Sequence, residues 1–403
     1  MKKNHFVLVT QYFPPEIGGG SQRSIGFVEE LIKQGVDVSV VTPFPSYLIS
    51  NVKTKWKLYE KYEKEGYTLY ETFVFASDRG SFLKRMIYYL SFVVSAIIVI
   101  TFKLEKINYL MTVSPPLFTG IVGIVIKKIK RVKFIFDIGD LWPESAIQLG
   151  FLKNKTAINL AEKLERAIYR NADIVNLVTK RTLNKIKELH PYIKKILYVP
   201  NFVNTSKFFK IEKNSELLNK LNLDGKLIFG YAGNLGSAQG IKIITDAAER
   251  TKDNHHIMYI IIGDGVERND IENAIKVKNL NNVLLLPPVS RDEVVKYVTL
   301  FDAMIIPLVK NELFKITIPS KLYESMAAEV PVLLCVDGEA RKIVEEYKCG
   351  FYVEPENDKM LSDKIIEFSN NPELLLEFGK NGRRGALEQF SREKVIRDFY
   401  NEL

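Results

Sequence analysis

Residues 319–333 (PSKLYESMAAEVPVL) hold the densest chemistry of the 403-residue chain. Ser320 is placed to cap a helix, and Lys321 and Glu324 fall about one turn apart on one face, near the helix's positive end. A surface ion pair uses the same spacing. A carboxylate at the start of a helix that follows a strand and loop is also placed to accept two hydrogen bonds from a ribose diol. Thr317 lies just ahead of this segment. Upstream, Gly233, Asn234, Gly236, Gln239 and Gly240 form a loop between a strand-like and a helical segment. Three glycines in eight residues let a diphosphate approach the helix N-terminus, although tight packing of helix on strand demands glycine too. Gly263, Asp264 and Gly265 end the next strand. In the first half of the chain Gly18, Gly19 and Gly20 stand directly before a helix, where bare N–H groups can face an anion. A flexible turn has the same composition, and neither G-x-G-x-x-G spacing nor a P-loop lysine is present.

The elements that must carry these loops are legible from periodicity. Residues 6–10 (FVLVT) read as a strand, 23–34 as a helix with Ile25, Val28, Leu31 and Ile32 on one face, and 36–42 as a second strand. Further strands are expected at 109–113, 134–136, 174–178 and 196–199, with helices at 117–129, 157–171 and 181–189. The pattern breaks after Pro200 and Asn201 and resumes near Lys226, with strands at 227–232, 258–262, 283–286, 303–306 and 332–335. This alternation predicts an α/β protein of two doubly wound, Rossmann-like domains facing a cleft. The expected domains are 1–200 and 201–385, with a C-terminal helix at 386–403 returning to the first. Ligands of such sheets sit beyond the carboxyl ends of the strands.

Composition removes several function classes. With 46% hydrophobic and 26% charged residues, the chain is neither disordered nor of low complexity. Cys335 and Cys349 cannot build a disulfide framework, and His5, His190, His255 and His256 share no ligand spacing, so no metal or cofactor is expected. Residues 1–4 are polar and suggest no signal peptide. The net charge of +9 is uneven: residues 1–200 hold 30 basic and 17 acidic side chains, and the remainder 27 and 31. The basic half points to an anionic partner, nucleic acid or a phospholipid surface. Its basic residues flank apolar segments and are not interleaved with aromatics, which argues against nucleic acid. Residues 86–102 (MIYYLSFVVSAIIVITF) carry no charge and lie between Lys84, Arg85 and Lys103. A helix of this length, about 26 Å, is short for a bilayer core of about 30 Å. A buried or interfacial helix is expected, and monotopic attachment rather than crossing, with Lys127, Lys128, Lys130, Arg131 and Lys133 backing it.

Taken in order, PPEIGG, VPNFVN, YAGNLG-x-x-QG, IIGDG, PSKLYESMA and PV resemble glycosyltransferase family 4, the retaining GT-B transferases that use nucleotide-diphosphate sugars. The resemblance covers nearly the whole chain. Residues 140–144 (DLWPE) bring it near the bacterial lipopolysaccharide and capsule branch similar to N-acetyl-fucosamine transferases. In that family the second glutamate of a Glu-x7-Glu motif binds ribose and the first lies by the transferred sugar. Glu324 matches the second; Ile316 occupies the place of the first, and Glu312 lies four residues too far upstream. The arginine and lysine of the phosphate loop are replaced by Asn234 and Gln239, which makes Lys321 the candidate for neutralising the diphosphate. Glu329 stands where a small residue normally closes the turn. Many relatives carry a histidine near Gly139, so Asp140 becomes the first candidate for catalysis or acceptor contact and Glu144 the second, with Trp142 a stacking platform or a core residue.

The resemblance implies transfer of a sugar from a UDP-sugar, an N-acetylated hexosamine or deoxyhexosamine, to a polyprenyl-diphosphate-linked saccharide at the cytoplasmic face of the inner membrane, in O-antigen or capsule synthesis. It implies a donor set of Thr317, Ser320, Lys321, Glu324, Gly233, Asn234, Gly236, Gln239, Gly263 and Gly265. Two alternatives stay open: a non-transferring GT-B enzyme such as a UDP-sugar 2-epimerase, and an inactive sugar-nucleotide-binding subunit.

Overall fold

The computed structural model describes residues 4–16, 18–46, 54–75, 82–148, 150–290 and 293–403. The chain forms two compact units, Met1–Asn201 with Val395–Leu403, and Phe202–Lys394. In chain order the first unit contains β1 (His5–Val9), α1 (Gly19–Lys33), β2 (Asp37–Pro43), β3 (Tyr59–Lys64), β4 (Tyr67–Thr72), α2 (Phe82–Lys103), β5 (Tyr109–Ser114), α3 (Thr119–Lys130), β6 (Lys133–Ile138), α4 (Glu144–Gln148), α5 (Lys155–Asn171), β7 (Ile174–Leu177), α6 (Lys180–Leu189) and β8 (Ile196–Tyr198). Its sheet has the order β3-β4-β2-β1-β5-β6-β7-β8, parallel throughout except for the β3–β4 hairpin. The second unit holds α7 (Ser215–Lys220), β9 (Leu227–Ala232), α8 (Lys242–Arg250), β10 (Ile257–Ile262), α9 (Arg268–Val277), β11 (Val283–Leu286), α10 (Val294–Val298), β12 (Ala303–Pro307), α11 (Ser320–Ala327), β13 (Val332–Cys335), α12 (Glu339–Tyr347), β14 (Gly350–Tyr352), α13 (Asp358–Asn370) and α14 (Pro372–Gly385). Its six strands run parallel in the order β11-β10-β9-β12-β13-β14.

Central strands such as β1 and β9 are buried along nearly their whole length because helices cover both faces, which is why they read as unbroken apolar runs. The hairpin was not expected. Its edge strand, YEKYEK, is polar on an outer sheet edge and carries no apolar period to find.

The last helix, α15 (Arg392–Asn401), carries the chain back to the first unit. There Phe399 meets Phe27 and Phe6 edge-on, with centroids 5.3 and 6.4 Å away. The return lies at Val395, not at 386: residues 386–390 stay with the second unit, where the Phe390 ring packs 4.7 Å from Tyr323.

Helix α2 is longer than residues 86–102 and is apolar on two faces. Tyr88, Phe92, Val93, Ala96, Val99 and Ile100 are buried in the core with Val7, Val9 and Leu110, whereas Ile87, Leu90, Val94, Ile98 and Phe102 are exposed. Three of the five basic backing residues have other work. Lys127 pairs with Asp173 at 2.6 Å, Lys130 donates to the Leu104 carbonyl at 2.7 Å, and Lys133 bonds the Leu403 carbonyl. Lys128 and Arg131 remain exposed.

Candidate functional site

In the second unit the loops after β9 and β10 meet backbone to backbone. The Gly233 amide donates to the Ile262 carbonyl and the Leu235 amide to Asp264, each at 2.8 Å. A Cβ on Gly263 would lie 1.8 Å from the Gly233 oxygen, and one on Gly265 2.4 Å from the Leu235 oxygen. These two glycines are demanded by loop packing. Gly233 is different, because a Cβ there would fall 2.7 Å from the Lys321 ammonium. The loop is bare where the lysine crosses it.

Lys321 stands one residue inside α11 and reaches back across the sheet's carboxyl edge, its ammonium 5.0 Å above the Tyr231 ring. Among the described residues the ammonium has no hydrogen-bond or ion-pair partner. Burial pushes its pKa down and nearby Glu324 partly restores it. The ammonium thus lies on an aromatic face, beside a glycine loop and the positive end of a helix.

Ser320 does not cap α11. Pro319 holds the N-cap position, no side chain caps the end, and Ser320 is the exposed first helical residue. Glu324 lies half-buried one turn beyond Lys321. Thr317 closes the 3-10 turn Glu312–Ile316, its amide donating to the Phe314 carbonyl at 3.1 Å. Glu312 is paired with Lys315 at 2.6 Å on the surface. Gln239 is engaged as well, its side-chain oxygen 3.3 Å from the Tyr231 hydroxyl, which donates at 2.6 Å to the Asn234 carbonyl. The Asn234 side chain is exposed above that loop. Glu329 takes φ +57° in the turn after α11, the conformation glycine favours, and pairs with Lys210 at 3.3 Å.

In the first unit Gly18 is the N-cap of α1, which has neither a side-chain cap nor an acidic residue in its first turn. Around Gly18 and Gly19 an added Cβ would meet nothing within 4 Å. Space does not demand either glycine, the reverse of Gly263 and Gly265, but Gly18 takes φ +149°, a backbone conformation that favours glycine.

Asp140 follows β6 by two residues, in a turn anchored by the Gly139 amide on the Ser114 carbonyl at 2.8 Å. Its carboxylate reaches solvent and has no hydrogen-bond or ion-pair partner among the described residues. The protein packed around it nonetheless raises its pKa through desolvation. Glu144 is committed elsewhere, with both oxygens on the Lys185 ammonium at 2.5 and 2.6 Å. Trp142 packs half-buried against the core and meets Phe118 edge-on at 5.8 Å, so it is a core residue.

Sequence reasoning missed three side chains. Tyr231 lies inside an apolar strand, where nothing marks it as the lysine's floor. Arg268 braces the loops after β10 and β11 by donating to the Gly263 and Leu286 carbonyls at 2.6 and 3.2 Å. Arg23 forms a buried ion pair with Asp137 at 2.8 Å, between partners 114 residues apart. Among the described residues no group of three or more His, Cys, Asp and Glu side chains could hold a metal ion.

Residues 213–385 match the family model described as glycosyl transferases group 1. Over 404 aligned residues the chain is 24% identical to WcaI of Escherichia coli K12, assigned to colanic acid biosynthesis as a glycosyl transferase, and the match covers 97% of each chain. Sucrose-phosphate synthase from Thermosynechococcus elongatus superposes with a TM-score of 0.77 at 16% identity, covering 99% of this chain and 98% of the other. Anabaena HepE, solved in complex with UDP, gives 0.72 at 14% identity, covering 100% and 99%. Residues 213–385 are thus a group 1 glycosyl transferase domain, and the chain is a transferase enzyme with the two-unit α/β architecture of the GT-B fold.

Proposed function

We propose that the chain transfers a sugar, an N-acetylated hexosamine or deoxyhexosamine, from a UDP-sugar to a saccharide carried on a polyprenyl diphosphate, with retention at the anomeric carbon and without a metal. The observation that carries this reading is the Lys321 ammonium between the Gly233 loop and α11, which has no hydrogen-bond or ion-pair partner among the described residues. A nucleoside diphosphate supplies the charge it lacks. HepE's complex with UDP supports the choice of uridine. Glu324 would hold the ribose diol.

In the reaction the bond from the anomeric carbon to the diphosphate oxygen breaks and a bond to the acceptor oxygen forms on the same face. The acceptor's proton passes to the departing phosphate, whose negative charge Lys321 and the helix amides stabilise. Asp140 orients the acceptor hydroxyl; acting instead as nucleophile, it would form a glycosyl-enzyme ester.

An acceptor on a lipid anchor places the enzyme at a membrane, and we propose attachment at the cytoplasmic face of the inner membrane. The exposed stripe Ile87, Leu90, Val94, Ile98 and Phe102 supports this, with Lys84, Arg85 and Lys103 near its ends. The place in O-antigen or capsule synthesis is supported by WcaI's assignment to colanic acid.

The test is incubation of purified protein with a panel of nucleotide sugars, with and without a polyprenyl-diphosphate saccharide. Acceptor-dependent product from a UDP-sugar is expected. Interconversion of the sugar without acceptor would mean an epimerase, and UDP binding without turnover of any donor a binding subunit.

A further inference from the structure

Arg23 and Asp137 form a buried pair of opposite charges in the first unit, at 6% and 0% exposure. The pairing is a two-pronged fork, with Nε donating to one carboxylate oxygen at 2.9 Å and a terminal nitrogen to the other at 2.8 Å. Asn176 of β7 donates to the same carboxylate at 3.3 Å. The guanidinium also donates to the Val199 and Pro200 carbonyls, each at 3.0 Å, and to the Asn201 side-chain oxygen at 3.3 Å. All three of its nitrogens are used. Arg23 lies about one turn inside α1, the helix that begins at the glycine turn. Asp137 lies three residues before Asp140. The segment 199–201 is where the chain leaves the first unit.

A buried ion pair is a poor device for stability, because desolvating both charges costs about as much as their attraction returns. What it does well is fix geometry: the planar fork accepts one orientation, which a lysine cannot reproduce. We infer that Arg23 is a positioning residue, whose pairing with Asp137 and hold on residues 199–201 set the glycine turn, the Asp140 turn and the chain exit in the one register that supports transfer. The inference rests on the proposed transferase reading for its kinetic consequence only.

Two experiments test it. In Asp137→Asn, which keeps the shape and removes the charge, and in Arg23→Lys, which keeps the charge and removes the fork, kcat should fall at least tenfold. The donor KM and the affinity for UDP should stay within twofold, because the donor residues lie in the second unit. Folded variants with kcat within twofold of the unaltered enzyme would overturn the inference. The second experiment needs neither a variant nor turnover. The amides of Gln22, Gly139 and Val199, one in each of the three joined segments, donate to the Gly18, Ser114 and Leu177 carbonyls respectively. In native-state hydrogen exchange of the full chain they should open as one unit, with a common free energy and denaturant dependence. Three distinct opening energies would overturn the inference, whatever the transfer assay returns.

Discussion

The Lys321 ammonium sits 5.0 Å from the centre of the Tyr231 ring and is 2.7 Å from where a Gly233 side chain would begin. One cation therefore links the loop after β9 to the start of α11. Lys321→Ala should weaken UDP by about tenfold, the loss of one charge-assisted hydrogen bond, and leave uridine nearly unchanged. Isothermal calorimetry with both ligands decides it; equal weakening would make the lysine structural.

The depressed pKa of Lys321 has a pH signature with a fixed sign. The folded chain releases this proton at a lower pH than the unfolded chain does. Between the lowered value and the ordinary lysine value of about 10.4, the unfolded state binds more protons, so this group adds stability as pH rises. UDP affinity runs the other way, falling over the same window as the cation is lost. Lys321→Met should flatten both slopes, measured by denaturant melts and calorimetry from neutral pH upward.

Glu324→Ala should cost about 1.5–3 kcal/mol of nucleotide affinity, roughly ten- to a hundredfold, through loss of a charged hydrogen bond to the ribose. A 2′,3′-dideoxy analogue of UDP should be insensitive to the substitution. If the analogue weakens equally, the carboxylate is not on the diol.

Asp140 and Glu144 separate by their partners. Asp140→Asn should abolish turnover with donor affinity intact. Glu144→Gln breaks only a half-exposed pair with Lys185 and should cost about 0–1 kcal/mol of stability, with kcat within a fewfold. A large kcat loss in Glu144→Gln alone would reverse the assignment.

The exposed face of α2 predicts a membrane result without a folding cost. Val94 and Ile98 are 57% and 37% exposed, so Val94→Glu with Ile98→Glu should leave the melting temperature nearly unchanged. The pair should shift the protein away from floated anionic liposomes. Reversing Lys84, Arg85 and Lys103 should abolish any preference for anionic over neutral vesicles. No flotation of the unaltered chain with either lipid would leave the stripe without a bilayer to meet.

Much of the architecture was readable because parallel strands covered on both faces are apolar without interruption; residues 227–232 were located to the residue as β9. The edge strand β3 escaped because polar residues on a solvent edge have no apolar period. The site was half-legible. Lys321 and Glu324 announce themselves by helical spacing, but the roles of the glycines do not. Gly18 and Gly19 face open space while Gly263 and Gly265 are pressed against backbone oxygens, a difference set by three-dimensional neighbours. The ion pair of Arg23 with Asp137 joins residues 114 apart, and no local pattern records such a partner. The sequence ranks Glu144 second to Asp140 but does not record that Lys185, 41 residues on, holds its carboxylate.

The placement of residues 395–403 in the first unit orders events on the ribosome. Phe6 and Phe27, near the start of the chain, are packed by Phe399, a ring synthesised some 370 residues after the second of them. At about 5–20 residues per second, the first unit waits on the order of 10–40 s after Asn201 is made for the segment that completes it. The second unit, contiguous in sequence, has everything it needs by Lys394. Although domains generally fold in the order of synthesis, here the second unit can finish before the first.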